Sequence, residues 1–437
     1  MELTADLTGH DPMSAMQLTP YAPGQARGTL RRPRSGPGIL VLEHGELDGL
    51  SGPFTGLVMV SAAPFSHAMI RLLDLGVPVV MADRAQADRL PLGEQVWLDG
   101  ERGLLVHPAG DMALASPPAW TAVPARTGDG ERIELRCTVG DASAAGRARA
   151  AGATAIGLVR TEYLLPADDA VPDEAYYQQA FADICQAANP LPVTLRLLDI
   201  AADKRPSWLS GAALPGGALG MQGARLFNEI EVQRIVQAQV RAAGRVARQH
   251  QLRLLIPYLT SVEEFLRWRE VVLADLPDRL PIGAMVETPA LAMMLDRLMD
   301  EADFVALGLN DLMQCLFAAD RDQPALGPWL DPHAPALYRF LDGVAEAAGA
   351  QVGEIQLCGL LPQLPGILPV LLGLGFRTFS VTAHVLPYLH RRAARVPMAE
   401  ARALAQQVCC ATDSDAVRAM LTSFMEQSRL DPLIAED

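Results

Sequence analysis

The chain has 437 residues, half of them hydrophobic, and a formal net charge of −15 at neutral pH. A chain this long gives a soft expectation of about three domains, or two where one is an α/β barrel. The acidic balance argues against nucleic acid or an anionic membrane surface as a partner, since both are polyanions.

A small anionic substrate stays open, because a local group of arginines can reverse the field inside one cleft. The longest apolar tract, around Leu361 to Phe376, is broken by Pro362, Pro365 and Pro369 and is too short to span a bilayer. Met1 to Thr8 carries two acids and no basic stretch, which reads as no secretory signal and a cytoplasmic location. The six cysteines form no CxxC pair, so thiols in a reducing compartment are expected.

In chain order, residues up to about 28 look irregular, with Pro, Gly and Ser scattered through them. From Gly38 short apolar runs follow: Ile39 to Leu42, Leu57 to Val60, Val77 to Met81 and Gln95 to Leu98. These predict strands of a small α/β domain over residues 1–107. Between Ser66 and Leu75 the spacing of Met69, Ile70, Leu72 and Leu73 predicts a helix, stopped by Gly76. Residues 108–130, rich in Pro, Ala and Gly, read as an interdomain linker.

Over 131–437 strand-like runs alternate with helical segments: Ile133 to Cys137, Ala155 to Val159, Val193 to Leu198, Arg253 to Ile256, Ile282 to Val286, Phe304 to Leu307, Glu354 to Leu357 and Thr378 to Val381. That alternation predicts a closed parallel (β/α)₈ barrel, with a doubly wound open sheet as its rival. In such a barrel the carboxyl ends of the strands carry function. Those ends hold Arg160, Arg196, Glu287, Asn310 and Asp311, with Arg321 downstream, and Cys358. Arginines grip phosphate and carboxylate oxygens, paired carboxylates suit a hydrated Mg²⁺, and a thiol can protonate an enolate carbon. A substrate combining phosphate, carboxylate and a latent enolate is phosphoenolpyruvate. Lys204, the only lysine in the chain, follows the third strand. Where arginine serves everywhere else, a retained lysine marks a position that wants a compact ammonium.

The segments GLVRTEYLL (157–165), LRLLDIAADK (195–204), IPYLTSVEE (256–264), IGAMVETPA (282–290), LGLNDLMQCLFAADR (307–321) and LCG (357–359) resemble successive barrel motifs of the phosphoenolpyruvate-utilising enzymes, with Enzyme I of the bacterial sugar phosphotransferase system the nearest member. VSAAPFSHAMIRLLDLGVPVVMA (60–82) is similar to that family's phosphohistidine motif. The resemblance implies a swivelling N-terminal phosphohistidine β/β/α domain, with His67 accepting the phosphoryl group and pyruvate released. It implies Arg160, Arg196, Arg321, Asn310 and Lys204 on the substrate, Glu287 and Asp311 on Mg²⁺, and Cys358 as the acid. It also implies a homodimer paired through the barrel and a protein phosphoacceptor such as the histidine carrier HPr.

The match is not complete. Little chain separates Tyr21-Ala22-Pro23-Gly24 from the histidine motif, so the family's inserted HPr-docking helical domain is expected to be missing. Ala62, Ala63 and Phe65 replace the usual residues before the Ser-His pair, Met221-Gln222 replaces Trp-Arg, and Leu360 replaces a Glu. Two alternatives stay open: the core of a phosphoenolpyruvate synthase or pyruvate phosphate dikinase whose nucleotide-binding domain is another chain, and a non-catalytic phosphoenolpyruvate sensor.

Overall fold

The computed structural model describes residues 14–428 except 34–35, 51–52, 111, 116–123, 167–168, 201–204, 210–216, 218 and 277–278. The chain divides into two compact units. One runs through Ala119 and takes in Arg321–Gly327; the other comprises Trp120–Asp320 and Pro328–Leu430.

The first unit is built on one eight-stranded sheet. Its strands are β1 (Ser14–Gln17), β2 (Thr19–Ala22), β3 (Gln25–Arg31), β4 (Ile39–Glu43), β5 (Gly56–Val60), β6 (Val79–Ala82), β7 (Gln95–Asp99) and β8 (Leu104–His107), in spatial order β1-β8-β7-β3-β4-β5-β6-β2. The stretch before residue 28, expected to be irregular, therefore contributes three strands. β1 and β2 are too short, and the stretch too interrupted by Pro20, Pro23 and Gly24, to show a period. Their partners are remote: Ser14 pairs with His107, Thr19 with Met81 and Gln25 with Asp99. β3 to β6 run parallel, and β4 to β6 are almost wholly buried, which explains the unbroken apolar runs of those three. After β5 comes the helix α1 (His67–Leu72), capped by the Ser66 hydroxyl accepting from the Met69 amide and extended by a 3₁₀ turn to Leu75. Gly76 ends it at φ 69°, the left-handed conformation that favours glycine.

The second unit is a closed barrel. A short strand β9 (Ala125–Arg126), inside the stretch expected to be linker, forms a hairpin with β10. The barrel strands are β10 (Arg132–Val139), β11 (Ile156–Arg160), β12 (Val193–Arg196), β13 (Leu252–Ile256), β14 (Ile282–Val286), β15 (Val305–Gly308), β16 (Gln356–Cys358) and β17 (Thr378–Val381). Each is parallel to the next, and pairing of β10 with both β17 and β11 closes the ring. Closure rules out the open sheet. The intervening helices start on short polar caps, as Asp141, Asp173 and Ser261 show by accepting amides of the first turn. No helix among the described residues is long and apolar enough to cross a membrane.

The tightest helix contact in the barrel is between Ile367–Gly373 and Met398–Cys410, where a β-carbon on Gly373 would fall 2.1 Å from the Ala401 carbonyl oxygen. Gly373→Ala is expected to force the two helices apart and destabilise the barrel by about 1–3 kcal/mol. The denaturant midpoint of the barrel transition measures it, and an unchanged midpoint would contradict the packing described.

Candidate active site

Barrel strands turn their last residues toward the carboxyl rim, and the expected site residues fall there. Arg160 ends β11, Arg196 ends β12, Glu287 follows β14, Asn310 and Asp311 open the helix after β15, and Cys358 ends β16. Lys204 lies outside the described residues. Arg321 and its neighbour Asp322 belong to the first unit, against His67.

Arg196 organises the rim. It is buried, and its terminal nitrogens meet Glu162 Oε1 at 2.7 Å, Asp199 Oδ2 at 2.8 Å and Glu287 Oε1 at 3.7 Å. Burial opposes its charge, but Glu162, Asp199, Glu287 and Asp311 outweigh that and hold the guanidinium above its ordinary range. Among the described residues its buried Nε donor and the buried Glu162 Oε2 acceptor have no hydrogen-bond partner. Glu287 is 1% exposed. Burial first, then the charges of Asp311 and Asp199, push its carboxyl well above the usual range, against the pull of Arg196 and of the Tyr258 amide.

Two backbone features make room for Glu287. A β-carbon on Gly308 would fall 2.5 Å from Glu287 Cγ, so only glycine fits there. Tyr258 adopts φ 52° and donates its amide to Glu287 Oε2 at 2.8 Å. A non-glycine residue in the left-handed region costs on the order of 1 kcal/mol, and the carboxylate contact offsets it. The Arg225 guanidinium lies 5.2 Å from the centroid of the Tyr258 ring. Asn310 Oδ1 accepts the Leu360 amide at 3.1 Å and sits where a β-carbon on Gly359 would press.

Cys358 is buried, and burial, with a smaller push from Glu287, raises its thiol to about 11 against the pull of Gln356, Arg196 and Arg160. The thiol is therefore protonated at neutral pH. Gln356 Nε2 donates to Cys358 Sγ at 3.1 Å. None of the six cysteines forms a disulfide.

In the first unit, His67 opens α1 with its ring half-buried. Nδ1 is 2.9 Å from Asp322 Oδ2, and Nε2 is 2.7 Å from Arg321 Nη2, which also anchors through Nη1 to the Phe65 carbonyl. A guanidinium only donates, so Nε2 must accept, and the tautomer with hydrogen on Nδ1 satisfies both contacts. Burial works against ionisation of Asp322, but hydrogen bonds from His67 and the charge of Arg321 hold it well below the usual carboxylate range. Sequence reading missed Asp322, Tyr258 and Gln356. For Asp322 the only signal was its place beside Arg321. For Gln356 it was the two-residue spacing that puts it on the same strand face as Cys358.

Arginines, carboxylates and a protonated thiol thus gather on the carboxyl rim, the face on which barrel enzymes place their active sites. The family model for the PEP-binding domain of PEP-utilising enzymes matches residues 116–398, and the chain belongs to that family. It is 28% identical over 409 residues to multiphosphoryl transfer protein 2 of Escherichia coli K12, covering 87% of this chain and 48% of that protein. It is 30% identical over 385 residues to the multiphosphoryl transfer protein of Xanthomonas campestris, covering 84% and 46%. With the phosphoenolpyruvate-protein phosphotransferase of Haloferax volcanii it shares 31% identity over 389 residues, covering 84% of this chain and 68% of that one. The chain spans about half the length of the multiphosphoryl transfer proteins it matches.

The tautomer can be read directly. In protein carrying ¹⁵N-labelled histidine, His67 is expected to show hydrogen on Nδ1, and Asp322→Ala to shift the ring toward hydrogen on Nε2. A wild-type ring already protonated on Nε2 would overturn the assignment.

Proposed function

We propose that the chain is a phosphoenolpyruvate-dependent phosphotransferase, moving the phosphoryl group onto His67 with release of pyruvate and then to a protein acceptor. The observation that carries the reading is the double engagement of the His67 ring. Asp322 holds hydrogen on Nδ1 and so leaves a lone pair on Nε2, the atom that would form the N–P bond. The imidazole gains positive charge as that bond forms, which the ionised Asp322 stabilises, while Arg321 offers its charge to the phosphoryl oxygens. The names of the relatives point the same way, two for multiphosphoryl transfer and one for protein phosphotransfer from phosphoenolpyruvate.

At the barrel rim Arg160, Arg196 and Asn310, with Lys204 as a further cation, are assigned to the phosphate and carboxylate of the substrate. Cleavage of the bridging O–P bond leaves an enolate. The Cys358 thiol then gives its proton to the methylene carbon, completing pyruvate, and water restores the thiol, whose raised pKa of about 11 favours the protonated form.

Among the described residues no three His, Cys, Asp or Glu side chains form a ready metal cage. The crowding of Asp311 and Asp199 on buried Glu287 nonetheless leaves a local surplus of negative charge that a divalent cation would neutralise. Mg²⁺ needs only one or two carboxylates and takes the rest of its shell from water and substrate, so Glu287 and Asp311 fit it. When bound it would screen the charge on the substrate's oxygens. We further assign residues 1–107 to the phosphohistidine unit, 108–130 to a hinge, 131–437 apart from Arg321–Gly327 to the barrel, a homodimer to the assembly and the cytoplasm to its location.

A second reading, a phosphoenolpyruvate sensor without turnover, is favoured by one feature: both terminal nitrogens of Arg196 are already held by Glu162 and Asp199.

Incubation with ³²P-labelled phosphoenolpyruvate and Mg²⁺ separates the two. Acid-labile label that disappears in His67→Ala is the expected outcome; saturable binding with no label on the wild type selects the sensor. Cys358→Ala is expected to slow pyruvate formation about 10²–10⁴-fold, the usual contribution of a positioned acid. A rate within twofold of wild type would remove Cys358 from the mechanism.

A further inference from the structure

At the opposite, amino-terminal mouth of the barrel lies a half-open cavity of about 590 Å³. Its wall comes from the beginnings of the strands: Arg136 on β10, Thr194 on β12, Arg253 on β13, Phe304 just before β15 and Thr378 on β17 all line it. Neither arginine has a carboxylate within ion-pair distance among the described residues. Arg136 donates through Nη1 to Gln356 Oε1 at 3.1 Å, and its buried Nε has no hydrogen-bond partner among the described residues. Arg253 donates through Nε to Thr194 Oγ1 at 2.6 Å and lies over the Phe304 ring, 4.1 Å from its centroid.

The acids on the same wall are turned to other groups. Glu134 is paired with Arg132 at 2.6 Å, and Asp303 accepts the Ile282 amide at 2.8 Å. Glu354 is exposed at the edge. Two like charges set together in a half-buried cavity repel. Burial, then the charge of Arg136, pushes Arg253 down to about 10, and burial lowers Arg136 as well, against a smaller upward pull from the charge of Glu134. Both stay cationic at neutral pH. A pair of cations held in this way, with spare donors and an adjoining apolar wall that includes Phe304, matches a small acid: an oxyanion to bridge the guanidiniums and a carbon body to lie on the ring.

We infer that this cavity is a second binding site, separate from the carboxyl rim, for a small metabolite whose phosphate or carboxylate oxyanion is held between Arg136 and Arg253. The site has a physical connection to the other end of the barrel. Gln356 accepts from Arg136 through its Oε1 and donates from its Nε2 to Cys358 Sγ, so an anion drawing Arg136 away frees the amide that steadies the thiol. An effect of occupancy on turnover rests on the proposed function; occupancy itself does not.

Calorimetric titration of the full chain with inorganic phosphate, and separately with succinate, tests the site. Expected is one saturable event that persists in Arg160→Met and weakens roughly ten- to a hundredfold in Arg136→Met and in Arg253→Met, the loss that follows removal of a hydrogen bond to a charged group. Arg253→Met keeps an apolar chain over Phe304 and guards against a collapsed Arg136→Met protein, with the melting curve of each variant as the check. Response to phosphate alone assigns a phosphate ester, and response to succinate alone a carboxylic acid. The alkylation rate of Cys358 by iodoacetamide should change with the bound anion in wild type but not in Arg136→Met. Absence of saturable binding by either anion, or binding lost in Arg160→Met and kept in both floor variants, overturns the proposal. If His67 takes no label while the titrations behave as expected, the cavity stands and only the phosphotransfer reading falls.

Discussion

The barrel rim depends on one buried cation. Arg196 sits at the end of β12 with carboxylates of Glu162, Asp199 and Glu287 around it, and without it their charges would face each other in a dry site. Breaking such a buried pair by removing one partner costs about 3–5 kcal/mol, because the uncompensated charge stays behind. The surroundings are built to keep the group together. Gly308 clears the space for Glu287, and Tyr258 accepts a strained backbone to donate its amide. Burial first, and then the charges of Asp311 and Asp199, make Glu287 resist ionisation. Structure and chemistry share a cause here, since an excess of buried negative charge is unfavourable for folding alone and useful for attracting a cation.

The two mouths of the barrel use charge in opposite ways. At the carboxyl rim carboxylates crowd one guanidinium; at the floor two guanidiniums have no carboxylate within ion-pair distance among the described residues. Gln356 lies between, on the strand that ends in Cys358, and its amide has one end on each side. A polar side chain so deep in an apolar lumen is costly unless both its oxygen and nitrogen are satisfied. Arg136 satisfies the oxygen, while the Gly157 carbonyl and the thiol take the nitrogen. A change at either partner therefore moves a group that the other partner feels.

How much of this was legible in the sequence follows from the range of each interaction. Apart from β10, the barrel strands are almost wholly buried and mostly apolar, so all eight were visible, with ends shifted by a residue or two. β1 and β2 were not, because four-residue strands have no local period and exist only through partners some 60 to 90 residues away, and β3, only partly apolar, was missed with them. The rim residues were visible because function at a barrel collects at strand ends, a positional rule that needs no contact information. Asp322 was hidden for the same reason as β1. Its meaning lies in a bond to a residue 255 positions earlier, which no spacing encodes. Tyr258 was hidden because backbone strain has no signature in a residue other than glycine.

The preference for arginine, 36 basic residues with a single lysine, bears on both mouths. Burial lowers a lysine by as much as three to five units and would leave a buried ammonium neutral near pH 7. Arginine starts about two units higher and keeps its charge. Arg253, pushed down to about 10 by burial and by its neighbour, is still fully cationic in a neutral solution, as a lysine shifted that far would not be. Arg196, held upward by its acids, never approaches neutrality. An arginine-rich composition thus permits permanent cations inside an apolar barrel within an acidic protein, and the field inside each mouth is set by a few such groups rather than by the net charge of the chain.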